Sequence, residues 1–445
     1  MTHDVVVCGA GPAGSVAARR LAAAGVRVAL IGTTSRPGWE GLSARSRALL
    51  TEEGLDPQAE AIAGPFARRG VWADGRAVDG TEWLAERSQL AELLRAGAQS
   101  ADADYRQDRV TSAIRGAGCW RVGLADGGML TAPILIDARG RRGAQRRGPL
   151  LLAFAQRFRR RTAGASGTGI GVTDAGWCWW AELDQALWVQ VVGRPRAGHP
   201  AGWIAAAAAQ LPALARALDG ASIDGDPAAR PAHARLGAAG SDPTLWLAGD
   251  AALALDPLSG QGVYEALRGA RLAATAIQSV LDGGDAGVAQ RFVAARRAEA
   301  WQRGVGVAAG FYRENGSRGA FWSETAAAYE ALLAKPAPQS ALPSPDRERF
   351  AHAPAMRVER RPVLDGSRII ERDVLVTAEH PRGVWQVAGV PLVALKAYLD
   401  AAERATPAGA ATALGRPPAA VASAILWLQR AGNAAASSSR VSSGG

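Results

Sequence analysis

The 445-residue chain reads as an α/β fold, α+β overall. It combines a parallel-sheet domain, an inserted and mainly antiparallel β-sheet domain, and a small helical module beyond a linker. Three observations predict this. A glycine-spaced turn separates two apolar runs at the amino terminus. A tryptophan-rich stretch with strand-like alternation occupies 176–192, and a Pro, Ser and Ala-rich break at 334–348 precedes a helix–turn–helix pattern. A chain this long buries about three quarters of its unfolded surface and is expected to form more than one domain.

Composition narrows the class. Hydrophobic residues make up 48% and charged residues 21%, the proportions of an ordinary globular enzyme. The net charge of +10 is carried almost wholly by arginine, because Lys335 and Lys396 are the only lysines. The basic run Arg157–Arg161 has no nucleic-acid motif beside it, so no nucleic-acid partner is expected. Cys8, Cys119 and Cys178 are too scattered for a disulfide frame, and the five histidines are equally dispersed, so no metal centre is expected. No apolar stretch reaches membrane-spanning length and a strand follows Met1 at once, so the expectation is a cytoplasmic protein with no membrane span.

The first elements read strand, turn, helix, strand. Val5–Cys8 is a buried-strand run, and Val26–Ile31 supplies the second strand. Between them Gly9, Gly11 and Gly14 fall in the G-x-G-x-x-G pattern, with Ala13 inside it. The first glycine permits the tight turn, the second admits a pyrophosphate to the backbone, and the third allows close helix–strand packing, which makes this a Rossmann-like dinucleotide site. The acid expected at the end of the second strand is replaced by Gly32, Thr33 and Thr34, and Thr33 is the candidate for the ribose contact.

Only one such fingerprint exists, and a second segment identifies the ligand. "GDAALALDPLSGQG", residues 249–262, places an Asp at a strand end and two bare glycines at a helix mouth. A helix amino terminus of this kind donates backbone N–H groups to an anion or a planar polar ring. The segment resembles the second cofactor motif of the FAD-dependent monooxygenase superfamily. The resemblance implies FAD, with Asp250 toward the ribityl or pyrophosphate region and Pro257, Gly260, Gln261 and Gly262 beside the flavin ring. Two further stretches are similar to the same family. Arg87 in "AERSQLAELL" matches its cofactor-contacting arginine at a helix start. "LIDARGRRG" matches its Asp-Ala-x-Gly strand end, which carries over Asp137 and Gly140, with Arg139 in place of the usual Thr.

The intervening segment is expected to cover the ring and shape a substrate pocket. "GWCWWAELDQALWVQVV", residues 176–192, reads as two strands around a turn at Leu183–Gln185. Trp177 and Trp179 fall on one face as candidate pocket walls, and Trp180 falls on the other. The stretch resembles the Trp-x-Trp-x-Ile-Pro segment of flavin-dependent halogenases, without its Ile-Pro half. Those halogenases use a lysine in the first part of the chain, and here no lysine precedes Lys335. Hydroxylation through a flavin 4a-hydroperoxide needs less from the protein, since the cofactor carries the hard chemistry. The catalytic side chains are unassigned, with Glu40 and Asp256 as candidate relay carboxylates.

Beyond the linker, Val374–Val376 and Val384–Val387 have strand character and Leu392–Ala401 reads as a helix. Thr406 caps a further helix with Pro407 at its first position, Gly415 ends it, and Pro417 and Pro418 open the next. This resembles the helix-turn-helix core of winged-helix domains. With Arg416 and Arg430 its only basic residues, the pattern suits a peptide or protein partner better than DNA.

The expected organisation follows. Residues 1–75, 84–150 and 235–285 form the FAD-binding domain, and 76–83 with 151–234 form the substrate-domain sheet. Then come a helical segment at 286–333, a linker at 334–350, a winged-helix-like domain at 351–432 and a disordered tail at 433–445. The combination resembles flavoprotein monooxygenases that hydroxylate a tryptophan inside a polypeptide, as in tryptophylquinone formation for quinohemoprotein amine dehydrogenase. That resemblance implies FAD, electrons from NAD(P)H or a separate reductase, O2 as co-substrate, and a peptide or protein substrate held partly by the carboxy-terminal domain. A small-molecule aromatic hydroxylase and a prenyl reductase of the same superfamily are the competing expectations.

Overall fold

The computed structural model describes residues 3–34, 37–55, 61–72, 80–141, 146–195, 201–237, 242–334, 356–401 and 406–441. The chain divides into two compact units: residues 1–275 with 296–338, and residues 276–295 with 339–445.

The first unit is built around a five-stranded parallel sheet. Its order is Leu245–Leu247, Ile134–Asp137, Val5–Cys8, Val28–Gly32, Asp104–Gln107. Val5–Cys8 and Val28–Gly32 are buried at every position. This is why they read as continuous apolar runs instead of alternating ones. The helices Pro12–Ala23 and Arg87–Gln99 pack on one another. A meander, Val110–Arg115, Trp120–Leu124 and Met129–Ala132, covers the sheet through a cluster joining Trp120, Val122 and Leu130 to Val6, Cys8 and Ile31. All four strand ends that carry the expected cofactor contacts lie at the carboxyl edge of this sheet, where α/β folds bind ligands.

The second sheet has nine strands. Leu152–Arg159, Ala186–Gly193, Gly176–Leu183 and Gly167–Thr173 run in antiparallel order. Ile62–Val71 then pairs parallel to Gly167–Thr173, followed by Gly80–Glu86 and Trp39–Leu42. The turn between the tryptophan strands falls where its sequence predicts, with Asp184 at φ +51°.

Two expectations need correction here. Residues 1–75 do not belong wholly to the nucleotide-binding part, because Trp39–Leu42 and Ile62–Val71 are strands of the large sheet. Their sequence hides this. Gly64 sits at φ +122°, and the register shifts between Ala63 and Phe66, so the apolar alternation is broken. Residues 84–86 likewise depart from the nucleotide-binding part, because the strand Gly80–Glu86 of the large sheet carries the expected segment 80–83 on through them, and 76–79 lie outside the described residues.

One face of the large sheet carries Ile170, Val172, Trp177 and Trp179 into a core shared with Trp301, Tyr312, Trp322 and Tyr329 from the helices Ala286–Glu314 and Ala320–Ala334. The other face carries Phe154, Cys178 and Trp180 against the helices Ala201–Ala208 and Pro212–Leu218.

The second unit holds the hairpin Arg357–Asp365/Arg368–Val376, which the sequence reading missed apart from Val374–Val376. Within that unit Ser279 Oγ accepts from Ile369 N at 2.9 Å, and Arg291 pairs with Glu371 at 2.7 Å. These bonds tie the helical residues 276–295 to the hairpin, so this stretch does not divide at 285 as the sequence suggested. Leu392–Ala401, Pro407–Leu414 and Pro418–Val441 are the expected helices. Thr406 Oγ1 accepts from Gly409 N at 3.0 Å, and Gly415 adopts φ +59° at the carboxyl cap. The final helix continues through 433–441, where a disordered tail was expected, and residues 442–445 lie outside the described residues. Ala434–Ala436 favours helix extension over termination. Of the linker expected at 334–350, residue 334 ends the helix Ala320–Ala334 and 335–350 lie outside the described residues.

Candidate functional site

A cavity of about 400 Å³ opens at the carboxyl edge of the parallel sheet and runs under the tryptophan face of the large sheet. Its floor is backbone. Gly11, Ala13, Gly140, Asp250, Pro257, Gly260 and Gly262 all line it, from four separate turns of the chain.

The glycines of the amino-terminal turn divide into two kinds. Gly9 stands at φ +113°, and a Cβ there would sit 2.4 Å from Ala138 O. At Gly14 a Cβ would sit 1.8 Å from Gly9 O, so this residue sets the close approach of helix and turn. Gly11 differs: a Cβ added there meets nothing within 4 Å. It caps the helix Pro12–Ala23 with no side-chain cap bond and no acid in the first turn, so the leading N–H groups face the cavity without a partner of their own. Gly140, Gly260 and Gly262 are equally open. The bare positions therefore face outward into one concavity, as a cradle for a flat or phosphorylated ligand requires. Thr33 is exposed at its strand end and, like Gln261, does not line the cavity.

Side chains surround this floor. Arg87 opens the helix Arg87–Gln99, where Glu86 caps by accepting from Gln89 N, and its Nε donates to Glu40 Oε1 at 2.7 Å. Both residues line the cavity. Burial works to raise the Glu40 carboxyl, but Arg87, Arg230 and Arg141 outweigh it and hold the group below the ordinary glutamate range. Glu40 is thus a fixed anion, unsuited to donating a proton near neutral pH. Burial, with Arg87 adding repulsion, pulls Arg230 down to about 10, still charged at pH 7. Arg141 Nε donates to Asp250 Oδ2 at 3.1 Å and its Nη1 to His233 O at 2.8 Å. The role of Arg139 is now plain: Nε and Nη2 pair with both oxygens of Asp137, at 2.9 and 2.8 Å. It locks the strand end and does not project into the cavity.

Asp256 occupies a different place from Glu40. It is 1% exposed and does not line the cavity. Its Oδ1 accepts from Leu258 N at 2.9 Å, capping the turn Pro257–Ser259. Its Oδ2 accepts from Tyr329 OH at 2.6 Å and Tyr312 OH at 3.1 Å. Burial pushes its carboxyl up, against those three hydrogen bonds. The geometry makes Asp256 a positioning residue for the Pro257–Gly262 turn.

The roof is aromatic. Trp177 and Trp179 are buried and line the cavity, while Trp180 faces the opposite side of the sheet, as the alternation predicts. Trp177 Nε1 donates to Tyr312 OH at 3.4 Å, and Trp179 Nε1 donates to Glu82 Oε2 at 3.2 Å. Glu82, Arg68, Gln190, Arg141 and Arg230 complete the wall, and sequence reasoning missed all five. Arg68 Nε is buried with no hydrogen-bond partner among the described residues.

These residues fit FAD: open backbone at four glycines, an uncapped helix start and a row of arginines. Comparison with known proteins bears directly on this. The Lycopene cyclase protein family model matches residues 4–159. No curated protein matches the sequence. Among solved structures, "Peptidyl tryptophan dihydroxylase QhpG essential for tryptophylquinone cofactor biogenesis" is similar at 29% identity, covering 96% of this chain and 99% of its own, with a TM-score of 0.78. The chain shares its fold with FAD-dependent hydroxylating and halogenating enzymes. Two flavin-dependent halogenases share the fold. The flavin-dependent halogenase CmlS is 18% identical over 94% of this chain and 92% of its own, at a TM-score of 0.70. The myxobacterial chondrochloren halogenase CndH is 20% identical over 73% and 86%, at 0.63. The shared fold accounts for both the cradle and the large sheet above it. Among the described residues no helix is long and apolar enough to cross a membrane.

Proposed function

We propose that this chain is an FAD-dependent monooxygenase that hydroxylates a tryptophan side chain within a peptide or protein, in the making of a tryptophylquinone cofactor. The observation that carries the substrate is the end-to-end match to the peptidyl tryptophan dihydroxylase, which spans both units at 29% identity. The site supports the same reading. Two tryptophans form the wall where an indole would lie, and offset or edge contacts between aromatic rings suit an aromatic guest. None of the residues that line the cavity is a lysine, which sets this site apart from the halogenase pattern.

Gly11 and the first turn of Pro12–Ala23 would hold the cofactor's phosphates, Gly140 and Asp250 its linker, and Pro257–Gly262 its ring. When bound, reduced FAD supplies the oxygen-activating chemistry, with electrons from NAD(P)H or a separate reductase and O2 as co-substrate. The chain's own residues do the rest. The amino end of Gly262–Leu281 presents partial positive charge to the ring position. Arg87, Arg141 and Arg230 keep the cavity cationic while Glu40 stays ionised. Trp177 and Trp179, held by Tyr312 and Glu82, exclude water and orient the substrate ring. The second unit holds part of the polypeptide substrate.

Co-expression with tryptophan-containing polypeptides encoded nearby, followed by intact-mass measurement, tests this. A gain of one or two oxygens on the polypeptide is expected. Oxidation confined to free small aromatics would mean the substrate is wrongly assigned.

A further inference from the structure

On the far side of the large sheet lies a second and larger cleft, of about 1190 Å³, within the first unit. Side chains on a strand alternate between faces. Where Arg68, Trp177 and Trp179 serve the flavin-side cavity, Arg69, Gly169, Gly171, Trp180 and Glu182 line this cleft, and Ile170 lies between and lines both. The helices Ala201–Ala208 and Pro212–Leu218 cover Phe154, Cys178 and Trp180, while Trp180 and Leu211 lie over Gly169 and Gly171 of the strand Gly167–Thr173, and Trp180, Leu211 and both glycines line the cleft. A Cβ at Gly169 would stand 2.1 Å from the Trp180 ring, so this glycine lets the indole lie flat across the strand as the cleft floor.

The rim is strongly basic. Arg69, Arg160, Arg161, Arg216 and Arg318 line the cleft against Glu182 and Asp219. Arg160 is used locally, bonding Glu182 and the Asp184 carbonyl. Among the described residues the Arg318 guanidinium reaches only Asp174, at 4.0 Å. Arg69, Arg161 and Arg216 are exposed, and none has an ion pair among the described residues. Moreover, the Nε groups of Arg160 and Arg318 are buried without a hydrogen-bond partner among the described residues. Buried donors of this kind are costly unless something accepts from them. The chemistry asks for carboxylates spaced along an extended chain.

Resting on the peptidyl-tryptophan reading, we propose that this cleft binds an acidic stretch of the polypeptide whose tryptophan enters the flavin-side cavity. It is a recognition site separate from the reacting residue. The reductant does not suit it, because the sheet stands between the cleft and the cavity and a nicotinamide held here faces away from the ring position. Arginine forks match carboxylates, and two engaged sites raise effective concentration without a tighter grip at the indole.

The test uses full-length FAD-loaded protein and a fluorescein-labelled oligoglutamate peptide as probe, read by fluorescence anisotropy. Exposed arginines are replaced in the cleft, R69A/R161A/R216A, and elsewhere in the first unit, R45A/R109A/R121A, so that both variants carry the same net charge. The cleft variant should bind the probe more than about tenfold more weakly, and the other variant should match the parent, with FAD content and melting temperature unchanged in both. Equal weakening in both variants, or an unchanged cleft variant, overturns the proposal, since either means diffuse attraction to a basic surface. Displacement of the probe by NADPH overturns it too and gives the cleft to the reductant. Probe binding does not depend on turnover. Absence of hydroxylation with cleft binding intact therefore counts against the peptidyl-tryptophan reading alone.

Discussion

Gly11→Ala separates the cradle from the scaffold. A Cβ at Gly11 meets no atom of the protein within 4 Å, and the residue already lies at φ −77°, ψ −177°, an extended conformation open to alanine. The apoprotein should therefore fold as before. Alanine is a poorer helix cap than glycine, which costs about 0.5–1 kcal/mol, but it restricts the unfolded chain by about as much. The ligand pays instead. The new methyl occupies the space in front of the uncapped N–H groups, and two charge-assisted bonds of about 1.5–3 kcal/mol each are lost. That loss of about 3–6 kcal/mol weakens FAD binding by roughly 10²- to 10⁴-fold. Titration of deflavinated protein with FAD, followed by flavin fluorescence, measures it, and a thermal melt of the apoprotein supplies the control. Gly14→Ala is the contrast, because its Cβ would stand 1.8 Å from Gly9 O and so disturbs folding and binding together. Unchanged FAD affinity in Gly11→Ala would refute the placement of the cofactor's phosphates. So would an apoprotein that unfolds as readily as Gly14→Ala.

Further expectations follow from the same geometry. Asp256→Ala removes the acceptor for Tyr312 and Tyr329 and should destabilise the protein by about 2–5 kcal/mol in urea unfolding, while Asp256→Asn should cost less; equal losses would deny the carboxylate its role in holding the turn. Trp179→Phe keeps the aromatic wall but leaves Glu82 without its indole donor, so it should lower kcat/KM for the peptide by about tenfold and raise hydrogen peroxide released per NADPH oxidised, with FAD content constant. Burial, followed by Arg141, Arg235 and Arg147, pulls His233 below its unfolded value of 6.5. Below that pH the unfolded state takes up the proton first, so stability should fall as pH drops through 6.5 toward the lower folded value. His233→Gln should flatten that slope in melts taken at several pH values.

What the sequence disclosed was local. The glycine turn, the Asp-Ala-x-Gly strand end and the Gly260–Gly262 helix mouth are each set by spacing over a few residues, and the structure brings them to one edge. The tryptophan strands were legible for the same reason, as a period of two needs no distant partner. Arg68, Glu82, Arg141, Gln190 and Arg230 were not. Their presence at the cavity depends on strand pairings such as Thr168 beside Arg68 and Phe66 beside Glu82, which join positions 100 and 16 residues apart. The strand Ile62–Val71 escaped notice because Gly64 and a register shift interrupt it. Asp256 shows the converse difficulty. Its motif was visible, but only the packing of Tyr312 and Tyr329 reveals that it turns inward, away from the reacting space.

Incubating the purified, FAD-loaded protein with a reductant, heavy-isotope oxygen gas and its tryptophan-containing polypeptide gives the most direct test. The label should appear on one tryptophan side chain by fragment mass analysis, in step with reductant consumed beyond any peroxide released. A protein that binds no FAD, or a polypeptide that stays unlabelled while the reductant is consumed and all the oxygen appears as peroxide, would contradict it.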